Sequence, residues 1–124
     1  LYYKNQSSFL NMVIEIYTTL LPEELLLKIK NIESSLGRDI NNGHNLPRVI
    51  DIDILCFGNL EIFTKDLTIP HPLIFERKFV LQPWSDIVED FILVGMNKSI
   101  KYLLQNTPDQ TNVTLTEFSI GSLN

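Results

Sequence analysis

From Phe9 to Thr18, Leu10, Met12, Ile14 and Ile16 alternate with Asn11, Val13, Glu15 and Tyr17. A period of two predicts a strand, with the first set facing a core. Pro22 then suits a first helical position, and Glu23 and Glu24 favour the positive end of a helix. Leu25, Ile29, Ile32 and Leu36 recur at helical spacing up to Gly37, which suits a helix end. Arg38 to Pro47 has no period and is rich in turn formers, so it is expected to be a loop. Arg48 to Phe57 is the clearest strand, and Gly58-Asn59 marks a turn from which Leu60 to Phe63 is expected to pair back. Leu67 to Pro70 is a further short extended segment. Helical signals run from Leu73 to Val88, interrupted at Pro83, and again from Ser99 to Gln105 with Ile100, Leu103 and Leu104 on one side. The tail from Pro108 is polar, with a weak alternation at Val113 and Leu115. The order strand, helix, strand, hairpin, helix predicts an α+β layer with a largely antiparallel sheet.

Composition narrows the picture. A chain of 124 residues makes one domain, here residues 1–124. Ten basic against fifteen acidic residues give a net charge of −5, which argues against a nucleic-acid binder. No apolar run approaches the roughly 20 residues of a membrane helix. The lone Cys56 cannot form an internal disulfide, which suits a cytoplasmic protein. The chain opens on Leu1 and its first residues lack an apolar signal region, so it reads as a piece of a longer protein.

The candidate chemistry centres on Asp51 and Asp53. On a strand, residues i and i+2 share a face about 6.5–7 Å apart, while Ile50, Ile52 and Ile54 point the other way, into a core. Two neighbouring carboxylates repel, and Mg²⁺ with substrate phosphates would compensate them. A solvated Asp-x-Asp face explains the pair equally well. Arg38 and Arg48 nearby fit a phosphate site, or else an ordinary surface ion pair. His71 stands between Pro70 and Pro72, a stiff setting that aims the imidazole; a turn histidine without a role is the plainer explanation. His44, Cys56 and His71 lack zinc-ligand spacing. Phe9, Phe75 and Phe79 would stack a flat ligand or simply fill a core.

Three stretches then combine: Pro47-Arg48-Val49-Ile50-Asp51-Ile52-Asp53-Ile54-Leu55, Leu67-Thr68-Ile69-Pro70-His71-Pro72, and Glu76-Arg77-Lys78-Phe79-Val80-Leu81-Gln82-Pro83. With Phe9-Leu10-Asn11, Ile32-Glu33 and Leu36-Gly37-Arg38 upstream, the chain closely resembles the 6-hydroxymethyl-7,8-dihydropterin pyrophosphokinases of folate biosynthesis, over residues 8–90. The resemblance implies Mg²⁺-dependent transfer of pyrophosphate from ATP to the pterin hydroxymethyl group, releasing AMP. It implies two Mg²⁺ ions on Asp51 and Asp53, and charge neutralisation by Arg38 and Arg48. It further implies phosphate contacts from His71 and Arg77, and nucleotide-side positions at Glu33, Ile54 and Thr68. Phe9 and Phe79 would sandwich the pterin and Asn11 would bond its edge, while Arg38 to Pro47 would be a closing lid.

The implied fold is a ferredoxin-like antiparallel sheet with helices on both sides. The family's opening strand-helix-strand is absent, so this chain alone is expected to be marginally stable and weak or inactive. Asn45 and Leu46 replace an aromatic residue and a glycine frequent before the Pro-Arg pair. The tail 107–124 is left unassigned. Two other functions fit the residues: a different Mg²⁺-dependent phosphoryl-transfer or phosphodiester enzyme, and a remnant or non-catalytic module fused to, or associated with, other folate-pathway enzymes.

Overall fold

A computed structural model describes residues 3–4, 10–37 and 50–115. Its core lies in the second half of the chain, where Ile74, Leu81, Trp84, Leu93, Ile100 and Leu103 form one buried cluster. The elements supplying it are short. A 3-10 turn, Ile74–Glu76, leads into helix α2, Lys78–Val88. A small hairpin and helix α3, Ile100–Asn106, follow. The hairpin pairs Ile92–Leu93 with Lys98–Ser99, and its turn uses positive φ at Gly95 (90°) and Asn97 (56°). Ser99 caps α3: its Oγ accepts the Tyr102 N–H at 3.1 Å.

The predicted interruption at Pro83 does not occur. α2 runs through it, with Pro83 itself buried beside Leu81 and Trp84. Proline removes one helical hydrogen bond. Burial of this face, in a helix that packs against α3, outweighs that loss.

Helix α1 spans Pro22–Gly37 and starts where the sequence places it. The Glu24 carboxylate accepts the Leu21 N–H at 2.8 Å, half of a capping box. Its inward face differs from the expected stripe. Pro22 and Ile29 are buried, and Leu25, Leu26 and Glu33 half-buried, but Ile32 and Leu36 are exposed.

The strands depart most from expectation. Three separate antiparallel sheets stand among the described residues. In the first, strand Tyr3–Lys4 is central, flanked by Leu10–Asn11 and by Thr114–Leu115 from the unassigned tail. In the second, Ile62–Phe63 pairs with Thr68–Ile69, register Ile62↔Ile69. Leu60 to Phe63 was expected to pair back on the aspartate segment. Instead, Thr64 closes the chain onto Leu67, with Thr64 N–H donating to the Leu67 carbonyl at 2.9 Å and Leu67 N–H to Thr64 Oγ1 at 3.0 Å. The Gly58-Asn59 turn does form, with Gly58 at φ 57° and Leu60 N–H on the Phe57 carbonyl.

The two longest predicted strands form no ladder: residues 12–18 and 50–57 pair with no strand among the described residues. Leu10, Met12, Ile14 and Ile16, expected to face the core, are exposed, Ile14 at 66%. Val13, from the opposite face, packs on the core instead. Alternation marks two faces and leaves open which of them meets a core. Ile50 is exposed and Ile52 and Ile54 are half-buried; Leu55 and Cys56 reach the core in their place.

Candidate active site

Among the described residues, two hydrogen bonds to other parts of the fold hold the aspartate segment. Ile52 N–H donates to Glu33 Oε2 of α1 at 2.7 Å, and the Leu55 carbonyl accepts His71 N–H at 2.8 Å. Glu33 reaches Ile52 because it follows Leu26 and Ile29 on the inward face of α1, at helical spacing. Its side chain is only 6% exposed, and its other oxygen lies 3.4 Å from Lys30 Nζ.

Between α1 and this segment lies a cleft of about 240 Å³. Leu26 and Lys30 line it from the helix, Ile52, Asp53 and Ile54 from the aspartate segment. Asp66, Leu67, Thr68, His71 and Pro72 complete the lining, across the cis Ile69-Pro70 bond. Asp53, Ile54, Thr68 and His71, four of the residues singled out in the sequence, therefore share one cavity. Asp51 is exposed on the same segment but does not line it.

The imidazole is oriented by its own turn, since His71 Nδ1 accepts the Leu73 N–H at 3.1 Å. This leaves Nε2 as the proton-bearing nitrogen of the neutral ring. Burial lowers the His71 pKa, Arg77 lowers it further, and the Asp53 carboxylate opposes both. Neutral His71, with Nε2–H available, suits a hydrogen bond to an anionic ligand.

Arg77 and Phe79 lie at the start of α2, with the guanidinium 5.8 Å from the Phe79 ring centroid. Neither lines the cleft, although Arg77 is close enough to act on His71. Asn11 sits half-buried on its short strand, away from the cleft lining. Phe9, Arg38 and Arg48, with the expected lid Arg38 to Pro47 and its Asn45 and Leu46, lie outside the described residues.

Among the described residues no three carboxylate, histidine or cysteine side chains form a metal cage. Two aspartates alone still fit Mg²⁺, which keeps few protein ligands and takes the rest from water and substrate phosphates. Sequence reasoning missed Leu26, Lys30 and Asp66. The first two carried a usable signal: they stand four residues apart, on the helix face that also bears Glu33.

The sequence model of the 7,8-dihydro-6-hydroxymethylpterin-pyrophosphokinase family matches residues 2–89. The chain belongs to this family. It is 45% identical over 112 residues, 90% of its length, to a folic acid synthesis protein of Dictyostelium discoideum, of which it spans 17%. It is 42% identical over 99 residues to the 2-amino-4-hydroxy-6-hydroxymethyldihydropteridine pyrophosphokinase of Aquifex aeolicus, covering 80% of this chain and 61% of that protein. To the Bacillus subtilis protein of the same name it is 45% identical over 89 residues, covering 70% of this chain and 52% of that protein. The family match thus includes the aspartate segment, the His71 turn and the start of α2, and the chain spans less than two thirds of each relative.

Proposed function

We propose that the protein carrying this chain transfers pyrophosphate from ATP to 6-hydroxymethyl-7,8-dihydropterin in folate biosynthesis. The observation that carries the reading is the convergence of Asp53, Ile54, Thr68 and His71 on one cleft in a chain of the pyrophosphokinase family. The pterin hydroxymethyl oxygen attacks the β-phosphorus of ATP, the bond from that phosphorus to the α–β bridging oxygen breaks, AMP leaves and the hydroxyl proton is released. No covalent nucleophile is required, so catalysis rests on positioning and electrostatics.

Asp51 and Asp53 would hold two Mg²⁺ ions, which would supply positive charge to neutralise the phosphates. Ile54 and Thr68 flank the nucleotide, and His71 donates from Nε2 to a phosphate oxygen. Arg77 supplies positive charge beside His71. Arg38 and Arg48 neutralise the transferred group, and the Arg38 to Pro47 loop closes over it and excludes water. Phe9 and Phe79 sandwich the pterin, while Asn11 bonds its edge. Glu33 supports the nucleotide side from behind the cleft.

The ferredoxin-like sheet with helices on both faces is the architecture we propose for the completed domain. The exposed Leu10, Met12, Ile14 and Ile16 support a further layer, because such a run is rarely left to water. The length of the Dictyostelium relative supports fusion with other folate enzymes. A cytoplasmic location fits the single cysteine, and no helix among the described residues is long and apolar enough to cross a membrane.

Calorimetric titration of the full-length protein with a non-hydrolysable ATP analogue tests this function. Binding is expected to need Mg²⁺ and to disappear in Asp51→Ala/Asp53→Ala, and the wild type is expected to turn over the pterin. Equal binding with and without Mg²⁺, unchanged by the double substitution, would sink the proposal.

A further inference from the structure

The acceptor chosen for Ile52 N–H is chemically unusual. In a sheet that group would bond a neighbouring strand's carbonyl, which is neutral. Here a nearly buried carboxylate takes it, at 2.7 Å. This brings a third carboxylate to a segment already carrying Asp51 and Asp53. A neutral acceptor would satisfy the amide without adding charge there. What the carboxylate adds is strength, since hydrogen bonds to charged acceptors are roughly twice as strong as neutral ones.

Ile52 N–H belongs to the planar peptide joining Asp51 to Ile52, so holding it restrains the backbone torsions on either side. Those torsions help set the directions in which the flanking aspartate side chains leave the backbone. Three residues on, His71 N–H holds the Leu55 carbonyl. Glu33 and His71 are thus two anchors, one on α1 and one on the cleft turn, for a segment with no strand partner among the described residues. Lys30, 3.4 Å from Glu33, offsets part of the added charge and brings its own ammonium to the cleft lining.

We propose that Glu33 is a positioning residue that acts through the Ile52 amide to aim the Asp51 and Asp53 carboxylates at a divalent cation and a nucleoside triphosphate. This rests on the function proposed above and gives Glu33 a backbone role in place of direct nucleotide contact.

The test compares wild type, Glu33→Ala and Glu33→Gln in the full-length protein. Two quantities are read: the Mg²⁺ concentration for half-maximal binding of a non-hydrolysable ATP analogue, and amide hydrogen exchange at Ile52 without ligands. Glu33→Ala is expected to raise the Mg²⁺ requirement about tenfold or more, as loss of a group supporting metal ligands does, and to speed exchange at Ile52. Glu33→Gln keeps an oxygen acceptor of about half the strength and is expected to fall between Glu33→Ala and the wild type in both. Faster exchange in Glu33→Ala with a wild-type Mg²⁺ requirement would overturn the proposal. So would a loss of nucleotide affinity that is the same with and without Mg²⁺. If Glu33→Ala does not fold, Glu33→Gln decides, and a Mg²⁺ requirement raised more than about tenfold in a folded Glu33→Gln protein would equally overturn it. Failure of the function itself looks different, because the wild type would then show no Mg²⁺-dependent binding at all.

Discussion

The backbone amide of His71 donates to the carbonyl of Leu55 at 2.8 Å, and this bond ties the turn carrying the imidazole to the segment carrying the aspartates. Asp53 and His71 consequently line the same cleft, where the Asp53 charge acts on the imidazole.

That proximity sets a direction for titration. Burial and Arg77 hold the His71 pKa below 6.5, and Asp53 pulls it partly back. In the metal-free protein, Asp53→Asn is expected to move the His71 midpoint lower still and Arg77→Met to move it up, read by NMR. A depressed folded-state pKa favours the neutral ring, so the His71 contribution to stability is full above about 6.5 and shrinks as pH falls through that value. An unchanged midpoint in Asp53→Asn would separate the two side chains.

Asp109 caps α2 from beyond the family-matched region. Its Oδ2 accepts Lys78 N–H at 2.9 Å and its Oδ1 accepts Thr111 N–H at 2.9 Å. Burial alone would raise its pKa, but the bonds from Thr111 and Lys78 outweigh burial and lower it. Its contribution is present above the ordinary carboxylate pKa and is lost as pH falls through the lowered folded value. Asp109→Ala is expected to destabilise the fold by about 1 kcal/mol at neutral pH and to flatten the acid limb of a denaturation series.

Tyr3 behaves in the opposite sense. It is buried, its hydroxyl donates to the Asp86 carboxylate, and burial followed by that carboxylate pushes its pKa up to about 12. The folded state prefers the protonated phenol, so its contribution is complete below about pH 10 and is lost as pH rises towards 12. Unfolding midpoints measured from pH 8 upwards are expected to show this loss in the wild type and not in Tyr3→Phe.

Leu81 lies at the centre of the buried cluster and is fully shielded from solvent. Leu81→Ala is expected to cost about 2–5 kcal/mol in a denaturant melt. In residues 1–124 alone, where Ile14 is exposed, Ile14→Ala is expected to change the same melt by less than about 0.5 kcal/mol, and in the full-length protein, with the further layer proposed above, by more. A large loss in residues 1–124 alone would show instead that this face is covered in solution.

Local chemistry was legible wherever it acts over a few residues. The start of α1 at Pro22 and the turn at Gly58-Asn59 follow from proline geometry and a glycine at positive φ. Asp53, Ile54, Thr68 and His71, singled out in the sequence, do line one cleft. What the sequence could not determine was partnership. Alternation at Leu10 to Ile16 is the same whichever face is buried, and only packing turned Val13 inward. The aspartate segment looks like a sheet strand because its torsional preferences are local, whereas its acceptor, a helix carboxylate 19 residues earlier, is a matter of tertiary approach. Hydrogen bonds and charge pairs between distant parts of the chain exist only once the chain is folded, so the contacts of Glu33, Lys30 and Asp109 were decided there.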